Sequence, residues 1–562
     1  MNPNPTALLR EIHVVGAGLA GSECALQLAD VLGPRGYKIV LHEMRGTETT
    51  TPAHKTSDLA ELVCSNSFGS LAAHAASGLL KWEAEHLGSK ILSAALESRV
   101  PAGQALGMDR EIFAKKMTEK VSNHPSIEIR RERIDSLDQV PRPTVIATGP
   151  LTHDALARSM QSHFASVIAR TSGTAIPLKD GEAAVVDSEF LYFFDAIAPI
   201  IAADSINTKI AWKADRWDKG TKDYWNCPMS KAQYLAFINE IRLAKKIESK
   251  EFEKVGPGGE AFEETPYFES CMPIEAMLER GPMTLRFGPM SGKGLIDPAD
   301  GRQPYAAIQL RQDNKEGTAF NIVGFQTKMA YADQVRVFRT IPGLEDAEFL
   351  KLGSIHRNLY INTPKLLNRD LSSKIDPWLF FAGQITGVEG YFESTCVGLL
   401  VARLLAAKID GLYALDASDL DLAVTADGEN LMPPRLTALG SLHAAITDET
   451  KIGFFQPTNV NFSHLPEPPG FETAQYNDEG SRIHNARVDK KGKKNAQVAR
   501  AKEALRAWLT HTPSFAAVRE NSLVEAAATE LAQQTSSVST PAPSPHSTPT
   551  EAPAKPADQP LS

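Results

Sequence analysis

The chain has 562 residues, 42% of them hydrophobic and 23% charged, a composition typical of globular proteins, and its length predicts about three or four domains. Its net charge of −9 at pH 7 argues against wholesale coating of nucleic acid but is compatible with a local basic patch. The sequence shows neither a signal peptide nor an apolar run of about 20 residues, so we expect a cytoplasmic protein that does not span a membrane.

The first predicted elements form a βαβ unit. Residues 11–15, EIHVV, have the β-branched composition of a short strand. Residues 16–32 begin with a glycine-rich turn and continue as an apolar-periodic helix, and residues 37–44, YKIVLHEM, are a second strand. A strand, a helix and a second strand in this order are typical of a Rossmann-type α/β domain.

The turn carries the pattern G-x-G-x-x-G, which in this βαβ context predicts a dinucleotide site. Gly16 allows the tight turn, Gly18 lets the backbone approach a pyrophosphate at the helix N-terminus, and Gly21 allows close helix–strand packing. Glu43 ends the second strand, where a carboxylate accepts hydrogen bonds from ribose hydroxyls. A glutamate at this position argues against a nucleotide with a 2′-phosphate.

Two later stretches favour FAD over a nicotinamide nucleotide as the bound group. Residues 143–152, PTVIATGPLT, form a β-branched strand that ends in Thr148-Gly149 and looks like the ATG segment of flavoproteins. Residues 379–394, LFFAGQITGVEGYFES, look like the C-terminal FAD segment of the same proteins. The FAD domain is therefore predicted to be discontinuous. The predicted divisions are a FAD-binding domain at 9–190 and 330–445, an inserted α/β domain at 191–329, a C-terminal region at 446–515 and a disordered tail at 516–562.

The five cysteines, at positions 24, 64, 227, 271 and 396, are scattered and odd in number. They form neither a disulfide framework nor a zinc motif, and we expect no metal site. Cys64 lies where the apolar run 59–63 meets Ser65-Asn66-Ser67, so it is predicted at the boundary between an ordered element and a loop. By itself this position favours a small buried hydrophobic residue, which is the usual environment of a free cysteine.

Cys227 belongs to the inserted region and is predicted to lie in a loop before a helix. Ser230 is a good N-cap, and an apolar-periodic run follows it. A helix N-terminus tends to lower the pKa of a nearby thiol, although Pro228 and Met229 separate Cys227 from the helix. Tyr224 and Trp225 have the character either of core aromatics or of side chains that stack on a base.

The C-terminal region contains a basic cluster and ends in a biased tail. The cluster consists of Arg487, Lys490, Lys491, Lys493 and Lys494 and fits either a solvated helix face or a surface that contacts phosphates. The tail from residue 516 is rich in Pro, Ser, Thr and Ala, and we predict that it is disordered because it offers little apolar surface to bury.

A series of long motifs resembles one family over about residues 10–510. The chain is similar to the folate/FAD-dependent tRNA (uracil-54-C5)-methyltransferases, the TrmFO family. The motifs that carry the resemblance are GAGLAGSE, LAELVCSNSF, GLLKWE, VPAGQALGMDR, IATGPLT, YFFDAIAPI, NCPMSKAQY, GPMSGKGLIDP, PYAAIQLRQDN, NIVGFQT and FAGQITGVEGYFES.

The resemblance implies a reaction and a set of site residues. Family members transfer a one-carbon unit from 5,10-methylenetetrahydrofolate, through reduced FAD, to C5 of the T-loop uridine of tRNA, with electrons from NADH or NADPH. The family's two functional cysteines match Cys64 and Cys227. A thiolate that adds to uracil C6 activates C5, so we predict Cys227 as the nucleophile and Cys64 as the acid/base partner. The predicted FAD-binding residues are Gly16, Ala17, Gly18, Leu19, Ala20, Gly21, Glu43, Thr148, Gly149, Gly383, Gln384 and Tyr391.

Several alternatives remain open at this point. The sister flavoprotein family modifies the wobble uridine of tRNA with a GTPase partner, whereas no obligate protein partner is inferred here. Ribosomal RNA is an alternative target of the same chemistry, and a non-methylating FAD/NAD(P)H oxidoreductase is an alternative activity. The glutamate tail of folate needs a cation, for which Arg286, Lys293 and Arg311 are equal candidates.

Overall fold

The computed structural model of the protein describes residues 10–46, 51, 53–172, 190–217, 220–247, 272–411, 431–471, 475–476, 482–483, 489–512 and 522–536. The strands are β1 (Glu11–Val15), β2 (Lys38–His42), β3 (Ser67–Ser70), β4 (Arg99–Val100), β5 (Ala105–Met108), β6 (Ile127–Arg130), β7 (Thr144–Ile146), β8 (Phe190–Ala196), β9 (Ile200–Ala202), β10 (Trp212–Lys213), β11 (Tyr224–Met229), β12 (Ala306–Gln312), β13 (Ala319–Ile322), β14 (Phe349–Lys351), β15 (Ile355–Ile361), β16 (Leu379–Phe381), β17 (Gln475–Tyr476) and β18 (Arg482–Ile483). The helices are α1 (Leu19–Leu32), α2 (Ala76–His86), α3 (Lys90–Glu97), α4 (Arg110–Ser122), α5 (Asp154–Ser172), α6 (Lys231–Leu243), α7 (Ile274–Glu279), α8 (Thr284–Phe287), α9 (Tyr331–Phe338), α10 (Thr363–Leu366), α11 (Tyr391–Ile409), α12 (Ala438–Ile446), α13 (Lys490–His511) and α14 (Leu523–Ser536).

The first core surrounds a five-stranded parallel sheet with the strand order β16-β7-β1-β2-β6. All four neighbouring pairs are parallel, and the apolar runs of β1, β2, β7 and β16 are buried, whereas the edge strand β6 is only half-buried. Helix α1 packs closely against α11, where a Cβ atom on Gly398 would lie only 2.3 Å from the carbonyl oxygen of Ala20. The predicted discontinuous Rossmann-type domain is confirmed, because β16 and α11 complete the sheet begun by β1 and α1.

The second core belongs to the insertion and surrounds an antiparallel sheet with the order β10-β11-β12-β13-β9-β14. Helix α6 begins at a capping box between Ser230 and Gln233, as its sequence predicts, and buries Tyr234, Phe237 and Ile241 against this sheet. Helix α9 and strand β14 pack into the same core. Residues 331–351 therefore lie with the inserted layer, so the division proposed at residue 330 falls inside that layer instead of at its end.

The C-terminal helices pack against the first core through α2. Glu83 of α2 accepts hydrogen bonds from the backbone N–H groups of Ala438 and Leu439 at the start of α12. Glu85 does the same for Leu523 and Val524 at the start of α14. Disorder was predicted from residue 516, and for 523–536 that prediction is wrong, because this segment is a helix with buried apolar residues and a capped N-terminus. Residues 537–562 lie outside the described residues.

Within the described residues, no helix has the length and apolar character needed to cross a membrane.

The buried cap Glu83 makes the stability of this arrangement depend on pH. Burial raises the pKa of Glu83 from 4.5 to about 8. A raised pKa in the folded state means that folding takes up a proton, so the stabilisation is complete below about pH 4.5 and is lost as the pH rises through 8. We expect the melting temperature of Glu83→Gln, relative to wild type, to rise between pH 5 and pH 8 and then to level off. Thermal unfolding of both proteins at a series of pH values from 5 to above 8 measures this difference in melting temperature. Glu119→Gln on the exposed face of α4 is the control. A difference that is independent of pH would contradict the assignment.

Candidate active site

The glycine-rich turn between β1 and α1 has the close contacts that its sequence predicts. A Cβ atom on Gly21 would lie 1.8 Å from the carbonyl oxygen of Gly16, so the helix approaches the turn too closely for any side chain. Gly18 is the N-cap of α1, and a Cβ atom there would meet nothing within 4 Å. Gly18 therefore faces open space at a helix N-terminus, which is where a pyrophosphate binds in dinucleotide folds.

Glu43 is buried at the end of β2 and is held by two kinds of donor. Its Oε2 accepts a hydrogen bond from the backbone N–H of Ala17 at 2.9 Å, and its Oε1 accepts one from Nε of Arg45 at 3.0 Å. Burial acts to raise the pKa of Glu43, but the charge and hydrogen bonds of Arg45 outweigh it and lower the pKa. Glu43 is thus a fixed carboxylate beside the glycine turn, as recognition of a ribose requires.

A cleft of about 1010 Å³ opens at the carboxyl ends of the parallel strands. Nine of the predicted FAD-binding residues line it: Gly16, Gly18, Leu19, Ala20, Glu43, Thr148, Gly149, Gln384 and Tyr391. Ala17, Gly21 and Gly383 shape its walls from behind, since Ala17 anchors Glu43 and a Cβ atom on Gly383 would lie 2.6 Å from that of Ala20. Sequence reasoning missed a set of polar residues that also line the cleft: His42, Arg45, His54, Glu61, Glu132, Arg133, Thr152, His153 and Ser394. Of these, Arg45 had a usable signal, because it lies two residues after the strand-end glutamate.

The open space at Gly18 allows a direct test of the cleft. We expect Gly18→Val to fold normally but to retain little FAD, because the added side chain enters the space that the pyrophosphate needs. The ratio of flavin absorbance to protein absorbance after purification measures this loss, and the melting temperature of the flavin-free protein measures folding. Gly21→Val is the contrasting variant, which we expect to fail in folding. Full flavin content in Gly18→Val would place the cofactor elsewhere.

Cys64 lies at the mouth of this cleft. Its backbone N–H donates a 2.6 Å hydrogen bond to the hydroxyl of Tyr391, the first residue of α11, and the preceding residue Val63 lines the cleft. The side chain of Cys64 is half-buried. Tyr391 also packs edge-on against Phe68. The Cys64 loop, residues 62–67, is therefore fixed to the same helix N-terminus that borders the cleft.

Arg110 at the start of α4 ties the Cys64 loop to the inserted layer. Its guanidinium donates to the carbonyl oxygens of Leu62 and Cys64, both at 2.9 Å, and to the Asp313 carboxylate at 3.0–3.2 Å. Asn66 adds a second connection, because its side-chain amide donates to the carbonyl oxygen of Gln312. The loop is held by both layers at once.

Two further cations of the inserted layer reach the Cys64 loop. Lys351 of β14 donates to the carbonyl oxygen of Val63 at 3.1 Å. Burial, together with the charge of Arg110, lowers the pKa of Lys351 to about 8. Arg311 of β12 approaches the hydroxyl of Ser65 at 3.4 Å, and its buried Nε has no hydrogen-bond partner among the described residues. These contacts place two basic side chains of the inserted layer beside the Cys64 loop.

Cys227 lies elsewhere, and its predicted position in a loop is wrong. It is in the middle of β11, paired with Ile308 of β12, and its side chain is fully buried in the second core. Burial, with a contribution from the charge of Glu345, raises the pKa of the Cys227 thiol to about 12. The hydroxyl of Tyr224, three residues earlier and therefore on the other face of the strand, bonds to Ala102 of the first layer. The structure thus does not bring Cys227 and Cys64 together.

The other three cysteines and the cations predicted for the glutamate tail of folate lie in different places. Cys24 and Cys396 are buried packing residues, as predicted, and Cys271 lies outside the described residues. Arg286 and Lys293 lie on the inserted layer, where the guanidinium of Arg286 packs 4.2 Å from the ring centroid of Tyr305. Among the described residues, no group of three or more potential metal ligands is assembled.

Comparison with known proteins agrees with this geometry. The family model for glucose inhibited division protein A matches residues 11–413. The methylenetetrahydrofolate–tRNA-(uracil-5-)-methyltransferase TrmFO of Bdellovibrio bacteriovorus is 58% identical over 499 residues, which cover 89% of this chain and 98% of that protein. This chain belongs to the TrmFO family. TrmFO of Rhizorhabdus wittichii is 47% identical over 504 residues, with coverage of 89% and 98%.

Solved structures support the fold of this TrmFO family member. Two crystal forms of GidA from Aquifex aeolicus superpose with TM-scores of 0.54 and 0.56 at 14% and 13% identity. Each covers 93% of this chain, and the matched part is 75% and 78% of the GidA chain. The family is a flavoprotein family, and the cleft with its open glycine turn and fixed Glu43 has the features of a dinucleotide site.

Proposed function

We propose that this protein forms 5-methyluridine at position 54 of the tRNA T-loop, with 5,10-methylenetetrahydrofolate as the carbon donor and reduced FAD as carrier and reductant. The proposal rests on the relatives named TrmFO, of which one is 58% identical over nearly its whole length. The observation in the structure that supports it is the attachment of the Cys64 loop to Tyr391 at the mouth of the FAD cleft.

The residues of the cleft fit FAD. The N-terminus of α1, free of side chains at Gly18, would donate backbone N–H groups to the pyrophosphate. The Glu43 carboxylate would accept hydrogen bonds from the ribose hydroxyls. When bound, FAD supplies hydride transfer and a reactive nitrogen that carries the one-carbon unit. Val63, Tyr391 and Gln384 line the cleft, and the backbone N–H of Cys64 donates to the Tyr391 hydroxyl, so the Cys64 thiol borders the cleft that would hold the flavin.

Thiol chemistry explains why a cysteine is placed there. Addition of a thiolate to uracil C6 forms the S–C6 bond and moves the C5–C6 π electrons onto C5 and O4, which makes C5 nucleophilic. After C5 has bonded to the one-carbon unit, a base removes the C5 proton and the bond from that carbon to its carrier breaks, which leaves an exocyclic methylene on the base. Hydride added to this methylene forms the methyl group and expels the thiolate from C6. We assign addition to Cys227 and proton transfer to Cys64. This assignment requires that Cys227 become uncovered when RNA binds.

The basic cluster offers one surface for tRNA. Lys490, Lys491 and Lys494 are exposed at the start of α13, whereas Lys493 pairs with Glu467. Arg487 lies outside the described residues. Three adjacent exposed lysines suit sequence-independent phosphate contacts on a chain that is otherwise acidic.

The co-substrates complete the proposal. Electrons come from NADH or NADPH, and folate binds between the FAD cleft and the inserted layer, where Lys351 and Arg311 provide cations. The reaction needs no obligate protein partner and takes place in the cytoplasm.

A reconstituted reaction tests the activity. Purified FAD-loaded enzyme is incubated with unmodified tRNA transcript, methylenetetrahydrofolate and NADH or NADPH, and digested RNA is analysed for 5-methyluridine by mass spectrometry. We expect product from wild type and from the control Cys24→Ala, and none from Cys64→Ala or Cys227→Ala. Product only on ribosomal RNA would change the target. Nicotinamide oxidation without methylation of either RNA would instead favour the oxidoreductase alternative.

A further inference from the structure

Trp217, in the loop between β10 and β11, has a backbone conformation that few large residues adopt. Its φ angle is 68°, in the left-handed region that favours glycine. Its side chain is 61% exposed, so burial of the ring does not compensate for the strain. Strained positions of this kind persist only where the surroundings enforce them, and they cluster at functional sites.

The surroundings of Trp217 do enforce it. Its backbone N–H donates a 2.6 Å hydrogen bond to the carbonyl oxygen of Gly294, and a Cβ atom on Gly294 would lie 2.8 Å from the tryptophan ring. The neighbouring Arg216 donates to the carbonyl oxygens of Ser291 and Lys293. The indole is therefore supported from below by a glycine, while most of its remaining surface faces solvent.

One cation lies beside this ring, and further lysines are exposed on the same loop and its neighbours. The ammonium nitrogen of Lys293 lies 5.8 Å from the indole centroid, and Lys209, Lys213 and Lys222 are exposed on the same loop and its neighbours. The carboxylate of Asp215 is buried and turned inward, where it accepts a 2.6 Å hydrogen bond from the backbone N–H of Lys222. An exposed aromatic ring among cations is the arrangement that binds unstacked nucleotides.

The described residues of the Trp217 loop, 214–217 and 220–223, are also linked to the neighbour of Cys227 and to the first layer. Nε of Arg216 donates to Gln309 at 2.9 Å, and the Gln309 amide donates to Asn226 at 2.9 Å, next to Cys227 on β11. At the other end of the loop, Asp223 accepts a hydrogen bond from the backbone N–H of Gly103 in the first layer. The loop therefore lies at the rim where the two layers meet.

We propose that Trp217 is a stacking platform for an unstacked base of the RNA substrate, with Lys293 contacting the adjacent phosphate. This inference rests on the proposed function, since it takes the loop of a folded RNA as the ligand. The positive surroundings favour an RNA over an apolar protein partner, because such a partner would leave these lysines unpaired.

Binding measurements with matched variants test the platform. Fluorescence anisotropy with a labelled T-arm stem-loop gives the Kd for FAD-loaded wild type and variants. We expect Trp217→Gly to weaken binding roughly tenfold, the range for loss of one base stack, and Trp217→Phe to retain most of the affinity. Trp217→Gly should also melt at a higher temperature than wild type, because glycine removes the left-handed strain. Phe454→Ala is the control for an exposed ring, as Phe454 is 69% exposed.

The outcomes separate the two proposals. Unchanged RNA affinity in Trp217→Gly would overturn the platform, and so would a change confined to the KM for methylenetetrahydrofolate. Binding of an unidentified protein with unchanged RNA affinity would also overturn it. If wild type binds the stem-loop through Trp217 but makes no 5-methyluridine, the proposed activity fails while the platform stands.

Discussion

Arg110→Met is expected to lower the free energy of unfolding by about 3 kcal/mol, the largest stability effect anticipated for this protein. The same substitution is expected to remove most of the methyl transfer. The guanidinium is largely buried and neutralises Asp313, whose carboxylate is also buried. Removal of one partner leaves an uncompensated charge between the two layers. It also deletes the two hydrogen bonds that hold the carbonyl oxygens of Leu62 and Cys64.

A double variant separates stability from positioning. Arg110→Met with Asp313→Leu removes both charges, so we expect it to recover much of the stability. We do not expect it to recover the activity, because the Cys64 loop still lacks the hydrogen bonds from Arg110. Urea unfolding measures the free energy of unfolding. The kcat of methyl transfer and the KM for tRNA, measured separately, show whether the Cys64 loop is still positioned for the reaction. Lys116→Met on the same helix is the control, since its pair with Glu97 is exposed and worth less than about 1 kcal/mol. Full activity in the double variant would show that Arg110 acts only on stability.

The nucleotide-binding half of the fold could be read from sequence because local pattern and function coincide there. The glycines of the first turn are required by contacts within the same βαβ unit, such as Gly21 against Gly16, and Glu43 follows directly in that unit. The residues around Cys64 could not be predicted in the same way. Arg110, Arg311 and Lys351 reach the loop from distant parts of the chain, and no local periodicity encodes those contacts.

The error at Cys227 has an identifiable physical cause. The loop was inferred from the helix start at Ser230, but β11 runs to Met229 and enters the cap directly. Pro228 is compatible with this strand although proline cannot donate a hydrogen bond within a sheet. In the structure β10 pairs only with Trp225 and Asn226, so the β10 side of Pro228 needs no donor and the strand continues through it. The tail was misjudged for a different reason. Composition averaged over 516–562 hides the helix-forming stretch 523–536, whose cap, Glu85, comes from far away in sequence.

Cys227 is expected to resist alkylation in the free enzyme about 10³-fold more than an exposed cysteine at pH 8, because a thiol pKa of about 12 leaves little thiolate. The thiol is packed with Ala211 and Gly343, beneath the segment that leads to the Trp217 loop. RNA that binds this segment and displaces it would uncover the thiol. We therefore expect labelling of Cys227 by N-ethylmaleimide, followed by peptide mass spectrometry, to accelerate when the T-arm stem-loop is added.

A mechanism-based trap decides which thiol adds to the base. In RNA with 5-fluorouridine at position 54, C5 carries fluorine instead of a proton, so the step that releases the thiol is blocked and the S–C6 adduct persists. We expect the cross-linked peptide to contain Cys227, and Cys24, buried in the first core, to stay unlabelled with or without RNA. An adduct on Cys64 would exchange the two roles. In that case Cys227 stays buried in the second core during the reaction, and the half-buried thiol of Cys64 adds to uracil C6.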